Sequence, residues 1–298
     1  MYALFVQVYL FYYMLKIEIS IMGFIGKLTI GCGSNMRKIV FFDIDGTLLD
    51  EEKNLPASAK EAIHTLQKNG IYTAIATGRA PFMISSLLEE LNIDSYVCFN
   101  GQYVVFENKL IYANPINTGI LESIQQTADK HGHALVYMNE LTLKTNTKHN
   151  DRIQKSLGTL KMAYPQYDPE FFIDRDIYQA LLFTKENEAD YLSNFDDVSF
   201  IRWHEYSLDI VPKGGSKARG IEELIGRLGM DMNEVYAFGD GLNDIEMLQE
   251  VGTGVAMGNA HDIVKEHADI VTTNVEHDGL VKGLKEVGLL AGSFETIE

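Results

Sequence analysis

The stretch MRKIVFFDIDGTLLD, residues 36–50, decides the fold. An apolar run, Ile39 to Phe42, ends on the carboxylate of Asp43, and Asp45 follows just ahead of Gly46 and Thr47. Four consecutive β-favouring residues read as a buried strand. Two carboxylates at its end repel each other, and each is costly to desolvate. A positive partner must sit beside them, or the pair performs chemistry.

Outward from this stretch, strands and helices alternate. Ser58 with Glu61 has the spacing of a capping box, and Ala62, Ile63 and Leu66 continue as an apolar helical stripe up to Gly70. IYTAIA (71–76) is a short strand ending at Thr77-Gly78-Arg79, a helix over about 81–91 follows, and SYVCFNG (95–101) is a strand closing on Asn100-Gly101. The rhythm returns late in the chain. Ser216 reads as an N-cap before Ile221, Leu224, Ile225 and Leu228, and EVYAFGD (234–240) is a strand ending on Asp240. GTGVAMGN and ADIVTTN add two more strands. Strands alternating with helices imply right-handed crossovers and a parallel sheet covered on both faces.

The middle differs. ALVYM and LTLKTN, split by Asn139-Glu140, read as a hairpin after a helix over 118–131, and YQALLFT and VSFIRW add further strands. The expected organisation is a Rossmann-like α/β core from residues 36–117 and 206–298, with an α+β cap domain, 118–205, inserted in it.

The totals narrow the function. A formal net charge of −17 argues against a nucleic-acid surface, which needs Lys/Arg-rich faces. Two cysteines, Cys32 and Cys98, are too few for a disulfide framework, so a reducing cytoplasm is the expected compartment. Residues 1–35 do not match the rest. Lys16 and Glu18 interrupt their apolar run before the roughly 20 residues that a membrane span needs, and no signal-peptide cleavage pattern is visible. We read them as an apolar extension from a misassigned start, with Met36 opening the folded chain. An interfacial or membrane anchor and a soluble extension are the alternatives, and membrane association is expected only if the extension is real.

Every loop with suggestive side chains lies at the C-terminal end of an expected parallel strand, the edge where open α/β sheets bind ligands. Asp43, Asp45, Asp240 and Asp244 would converge there. Oxygen donors without a nearby His or Cys pair suit magnesium. Thr77 adds a hydroxyl, and Lys217 adds an ammonium at the positive end of a helix. Such a set can bind a dianionic phosphoryl group. Asp43 would attack it to form an aspartyl-phosphate, and Asp45 would protonate the leaving oxygen and then deprotonate water. Plainer readings exist for each part: Asp-Gly favours turns, Thr77 could be a helix N-cap, and Asp244 a first-turn acid.

The ordered set FFDIDGTLLD, ATGR, GGSKARG and GDGLNDIEML resembles the haloacid dehalogenase superfamily of phosphatases. CFNG, GVAMGNA and EHDGL narrow the resemblance to the Cof-type hydrolases, whose large αβ cap lies between the second and third motifs. By position, the resemblance implies Asp43 as nucleophile, Asp45 as general acid/base, and Thr77, Gly78, Lys217 and Asn243 as phosphate contacts. Asp43, Asp240 and the backbone carbonyl of Asp45 would bind magnesium, with Asp244 a ligand or an orienting neighbour. Lys217, not Lys213, fits the G-x-x-K pattern, and Arg79 has no fixed catalytic role. His204 reads as structural or solvated.

The expected activity is magnesium-dependent hydrolysis of a small phosphorylated metabolite under a closing cap. The alternatives are a sugar-phosphate mutase and a catalytically silent module that binds a phosphate ligand. Asp45 stands where ion-pumping ATPases carry Lys, which excludes that class. Substrate identity and oligomeric state are not legible.

Overall fold

β1 (Ile39–Phe42) forms as expected, and all four of its residues are fully buried. The computed structural model describes residues 38–185, 191 and 193–291. The expectation for residues 1–35 lies outside the described residues. Successive strand side chains point to opposite faces. Ile39 and Phe41 therefore join one apolar layer with Ile221, Leu224 and Met247, while Val40 and Phe42 join another with Ala62, Ile63 and Leu284. Helices cover both faces, which is why the strand reads as an unbroken apolar run.

β1 lies between β2 (Tyr72–Ala76) and β12 (Val235–Gly239), parallel to both. β3 (Tyr96–Cys98) continues the parallel sheet beyond β2, and β13 (Thr253–Ala256) and β14 (Ile270–Val271) continue it beyond β12. Two antiparallel strands, β4 (Tyr103–Phe106) and β5 (Lys109–Ala113), extend the far edge to eight strands. No reading of the sequence had assigned that pair. It turns over Glu107 and Asn108, both at positive φ, a conformation that carries no glycine signal here.

The inserted α+β domain is a six-stranded sheet in the order β10 (Val198–His204), β11 (Ser207–Pro212), β9 (Gln179–Phe183), β6 (Ala134–Met138), β7 (Leu143–Thr145) and β8 (Gln166–Tyr167). Leu121, Ile124 and Ala128 of the helix Thr118–His131 pack on one face against Leu135, Tyr137, Ala180 and Leu182. The hairpin expected from ALVYM and LTLKTN is present as β6 and β7, with a longer loop than Asn139-Glu140 alone. The return to the core expected at residue 206 falls too early. β11 pairs with both β9 and β10, so the inserted sheet continues to Pro212 and the chain crosses back at Lys213–Ser216. Of the two partners of β11, only β10 adjoins it in sequence, across the two-residue turn Glu205-Tyr206. Tyr178 seats this domain on the core, its ring 5.5 Å from Phe99 and 5.0 Å from Tyr103. Among the described residues, no helix is long and apolar enough to cross a membrane.

The capping box at Ser58 and Glu61 does not form. The helix Ala57–Lys68 starts two residues earlier, at a Pro56 N-cap, which places Ser58 inside its first turn. The Ser58 hydroxyl instead donates to Asp278 Oδ1 at 2.6 Å, tying this helix to the start of the last one, Gly279–Glu286. Glu61→Ala is therefore expected to change unfolding free energy by less than about 0.5 kcal/mol, whereas Ser58→Ala costs about 1 kcal/mol. Urea denaturation of both variants checks the order; a capping box would make Glu61 matter as much as Ser58.

Candidate active site

The backbone N–H of Asp43 donates to the Phe238 carbonyl, extending the ladder between β1 and β12 by one residue. The chain then folds back in a tight turn in which Leu48 and Leu49 N–H groups bond to the Ile44 carbonyl. Ile44 and Leu48 are fully buried, and their anchoring sends Asp43 and Asp45 toward the C-terminal edge of the sheet. Gly46 permits the turn. Its φ is +82°, and a Cβ there would lie 2.2 Å from an Asp240 carboxylate oxygen.

Lys217 opens the helix Lys217–Leu228, whose N-cap is Ser216, as read from the sequence; its hydroxyl accepts from Arg219 N–H. This helix sits hard against the Asn100-Gly101 turn, where a Cβ on Gly101 (φ +95°) would meet the Ser216 carbonyl at 2.0 Å. The buried ammonium of Lys217 is thereby brought between two carboxylates, 2.5 Å from Asp43 Oδ1 and 2.6 Å from Asp244 Oδ1. The second Asp244 oxygen accepts from the backbone N–H groups of Asp240 (3.0 Å) and Gly241 (2.9 Å). Lys213, the sequence neighbour that might be mistaken for Lys217, is exposed on the crossing between the domains.

Burial raises Asp43 to about 7; Lys217 opposes that rise, and the Asp244 charge adds to it. Asp240 is raised to about 6, again by burial first and by the Asp244 charge second. Burial alone would discharge Lys217, but Asp244 and Asp43 outweigh it and hold the ammonium above its ordinary range. Negative charge is thus in excess. Among the described residues, the donors to the Asp240 carboxylate are neutral, Thr47 Oγ1 at 3.1 Å and Asn259 Nδ2 at 3.2 Å. Oxygen atoms of Asp43, Asp240 and Asp244 lie within 4.8 Å of one another. An all-oxygen, electron-rich donor set of this kind fits a hard divalent cation.

The Asp45 carboxylate turns away from that cluster. Arg79 grips it with two nitrogens, at 2.8 and 2.5 Å, and Lys53 adds a third contact at 2.6 Å. Burial raises its pKa, but these cations more than offset the effect and hold it below the usual value. Thr77 and Gly78 follow β2, the neighbour of β1. The Thr77 hydroxyl oxygen accepts from Arg79 N–H at 3.1 Å, and its carbonyl accepts from Asn100 N–H. Asn243 reaches the same turn through Asn100, Nδ2 to Oδ1 at 3.0 Å. The ends of β1 and β12, the turn Leu242–Asp244 and the start of the Lys217–Leu228 helix therefore gather Asp43, Asp240, Asp244 and Lys217, with Asp45 and the Thr77-Gly78-Asn243 group on either side.

Three contributors were not picked out from the sequence: Thr47, Asn259, which also donates to the Gly46 carbonyl at 2.8 Å, and Arg79 as the partner of Asp45. Thr47 and Asn259 lie within quoted motifs, but their partner Asp240 is visible only in three dimensions. Above the site, a cleft of about 730 Å³ separates Lys217 and Asn243 on the core from Trp203 and Asp209 on the inserted domain.

The family of haloacid dehalogenase-like hydrolases matches residues 40–284. YkrA of Bacillus subtilis (strain 168), a protein that carries a phosphatase name, is 45% identical over 253 residues, which are 85% of this chain and 98% of its own. The 5-amino-6-(5-phospho-D-ribitylamino)uracil phosphatase YcsE of the same organism is 30% identical over 254 residues, 83% of this chain and 94% of its own. The solved structure of BT4131, a sugar phosphatase of subclass IIB, superposes with a TM-score of 0.74 at 31% identity, over 85% of this chain and 100% of its own. A match running through core and inserted domain alike, with relatives at these identities, means that the chain belongs to the haloacid dehalogenase-like hydrolases, as a phosphatase of the Cof type.

Proposed function

We propose that the protein hydrolyses small phosphorylated metabolites through an aspartyl-phosphate on Asp43, with magnesium as its cofactor. The observation that carries this reading is the buried Asp43–Lys217–Asp244 arrangement beside Asp240, whose carboxyl is raised to about 6 by burial and the Asp244 charge. Asp43 supplies the attacking oxygen, and Lys217 opposes its protonation while offsetting charge on the transferring phosphoryl group. Thr77, Gly78 and Asn243 would contact the phosphoryl oxygens. Asp43, Asp240, the Asp45 backbone carbonyl and Asp244 would hold magnesium, which supplies charge neutralisation when bound.

Asp45 serves the leaving oxygen and then the water. Its ion pair with Arg79 and Lys53 suits the base role. For the acid role it must first gain a proton, and an entering phosphate dianion favours this by competing for Arg79 and adding like charge. The cleft beneath the inserted domain suits a small ester, and relatives that act on a ribitylaminouracil phosphate and on sugar phosphates support that range. The cysteine usage suits a cytoplasmic setting.

Phosphate release from a panel of phosphorylated metabolites, with magnesium and then with EDTA, tests the reading. Release that requires magnesium is expected for at least one ester. Full activity in EDTA would remove the metal from the mechanism, and silence in magnesium across the panel would count against hydrolysis itself.

A further inference from the structure

The turn Phe99-Asn100-Gly101 is left-handed at all three residues, with φ of 53°, 50° and 95°. A phenylalanine in that region is strained, and such a turn persists only where its surroundings fix it. Phe99 N–H donates to the Arg79 carbonyl and Asn100 N–H to that of Thr77. From the other side the Lys217–Leu228 helix presses on the turn, where a Cβ on Gly220 would lie 2.8 Å from the Gly101 Cα. The turn is therefore a firm base, and the buried side chain that follows it, Gln102, touches both chain crossings between the core and the inserted domain. On the outgoing crossing, Asn114 Nδ2 donates to Gln102 Oε1 at 2.8 Å, and Asn114 N–H donates to the Gln102 carbonyl at 2.9 Å. On the returning crossing, a Cβ on Gly215 would overlap the Gln102 amide nitrogen. Gly215 has no left-handed φ, so this contact is what calls for glycine there.

A step further along, each crossing is bonded to the inserted domain. Ile116 N–H donates to the Ile177 carbonyl, and Lys213 N–H to that of Asp197. Pro115 stands between the two attachments on one crossing, and Gly214, at φ +74°, on the other. Beside them lies a cavity of about 550 Å³ lined by Asn114, Pro115, Pro212 and Lys213, so packing does little to hold the crossings on that side. We infer that Gln102 is a positioning residue: its carboxamide holds both crossings at one spacing on the strained turn and so fixes where the inserted domain rests over the phosphoryl site. The ring of Tyr178 can slide on Phe99 and Tyr103 at little cost, whereas a hydrogen bond weakens steeply with angle. A displacement of about 1 Å among reacting groups is enough to cost about 100-fold in rate.

The direct test measures the distance between spin labels at two exposed helix positions, Glu61→Cys on the core and Gln126→Cys on the inserted domain, in the full chain with Cys32→Ser. Cys98 is fully buried and stays. One narrow distance distribution is expected for the parent. Gln102→Ala and Gly215→Ala are each expected to broaden it or shift its maximum. In Gln102→Ala the space for a Gly215 Cβ is open, so adding Gly215→Ala should change the distribution no further. Asn114→Ala breaks one hydrogen bond on a partly exposed crossing and should broaden it more mildly, which keeps the test decisive if the other variants fail to fold. The kinetic test rests on the phosphatase reading above. It compares kcat/KM for a hexose monophosphate with that for acetyl phosphate, whose carbon portion is too small to reach the inserted domain. The ratio is expected to fall about 10- to 100-fold in Gln102→Ala. A distribution unchanged in both Gln102→Ala and Asn114→Ala overturns the inference whatever the rates do, and so does an equal loss toward both substrates. If the parent releases no phosphate from either substrate, the phosphatase reading fails by itself, and the label distances still decide the role of Gln102.

Discussion

Asp43→Asn is expected to lower kcat for phosphate release by at least about a thousandfold while leaving the fold intact. The amide has the shape of the carboxylate but cannot become the acyl phosphate, and Lys217 keeps Asp244 as a partner. Stability should move in the opposite direction from activity. Burial places the folded pKa of Asp43 at about 7, above its unfolded value, so the folded state holds this proton more tightly. The parent protein, without metal, therefore loses stability as pH rises from about 4 through about 7, and the variant lacks that part of the loss. Denaturation in metal-free buffer at about pH 8 should find the variant at least as stable as the parent. Parental turnover in the variant would remove Asp43 as nucleophile, and a marked drop in its stability would make the lost activity structural.

Lys217→Met removes the cation that two buried carboxylates share. Methionine fills most of the volume, so the chief loss is electrostatic. Leaving paired carboxylates without their counter-charge is expected to cost about 3–5 kcal/mol at neutral pH. Loss of charge stabilisation at the phosphoryl group should also cut kcat by about a hundredfold or more. The pH dependence separates these causes from poor packing. Without Lys217, nothing opposes the burial and the Asp244 charge that raise the folded pKa of Asp43 above its unfolded value, so protonation relieves the strain. The deficit against the parent should shrink steadily as pH falls from about 8 toward about 5. Urea denaturation across that range checks it; a deficit constant with pH would assign the loss to packing.

Local chemistry was legible wherever one segment decides its own structure. An apolar run buried on both faces announced β1, and carboxylates placed at strand ends announced the site, because few other reasons put charge there. Ser216 behaved as its sequence suggests, since an N-cap bonds to residues two or three ahead. What could not be read were choices made by distant partners. Ser58 has the right neighbour for a capping box, but Asp278, 220 residues away, takes its hydroxyl. Thr47 and Asn259 look like turn residues until Asp240 lies between them. The turn at Glu107 and Asn108 adopts left-handed backbone without glycine, so nothing marked the hairpin of β4 and β5. β11 was missed because its pairing, not its composition, assigns it to the inserted sheet.

The placement of β1 at the centre of the parallel sheet has a consequence for the chain during its synthesis. Ile39 pairs with Val235 on one side, and the whole inserted domain lies between them in sequence. At about 5–20 residues per second, β1 and β2 leave the ribosome roughly 10–40 seconds before β12 can join them. During that interval the inserted domain can complete its own sheet, while the apolar edge of β1 stays open to pairing with a neighbouring nascent chain. Fast translation of the inserted segment, or a chaperone held over β1, would shorten or cover that exposure.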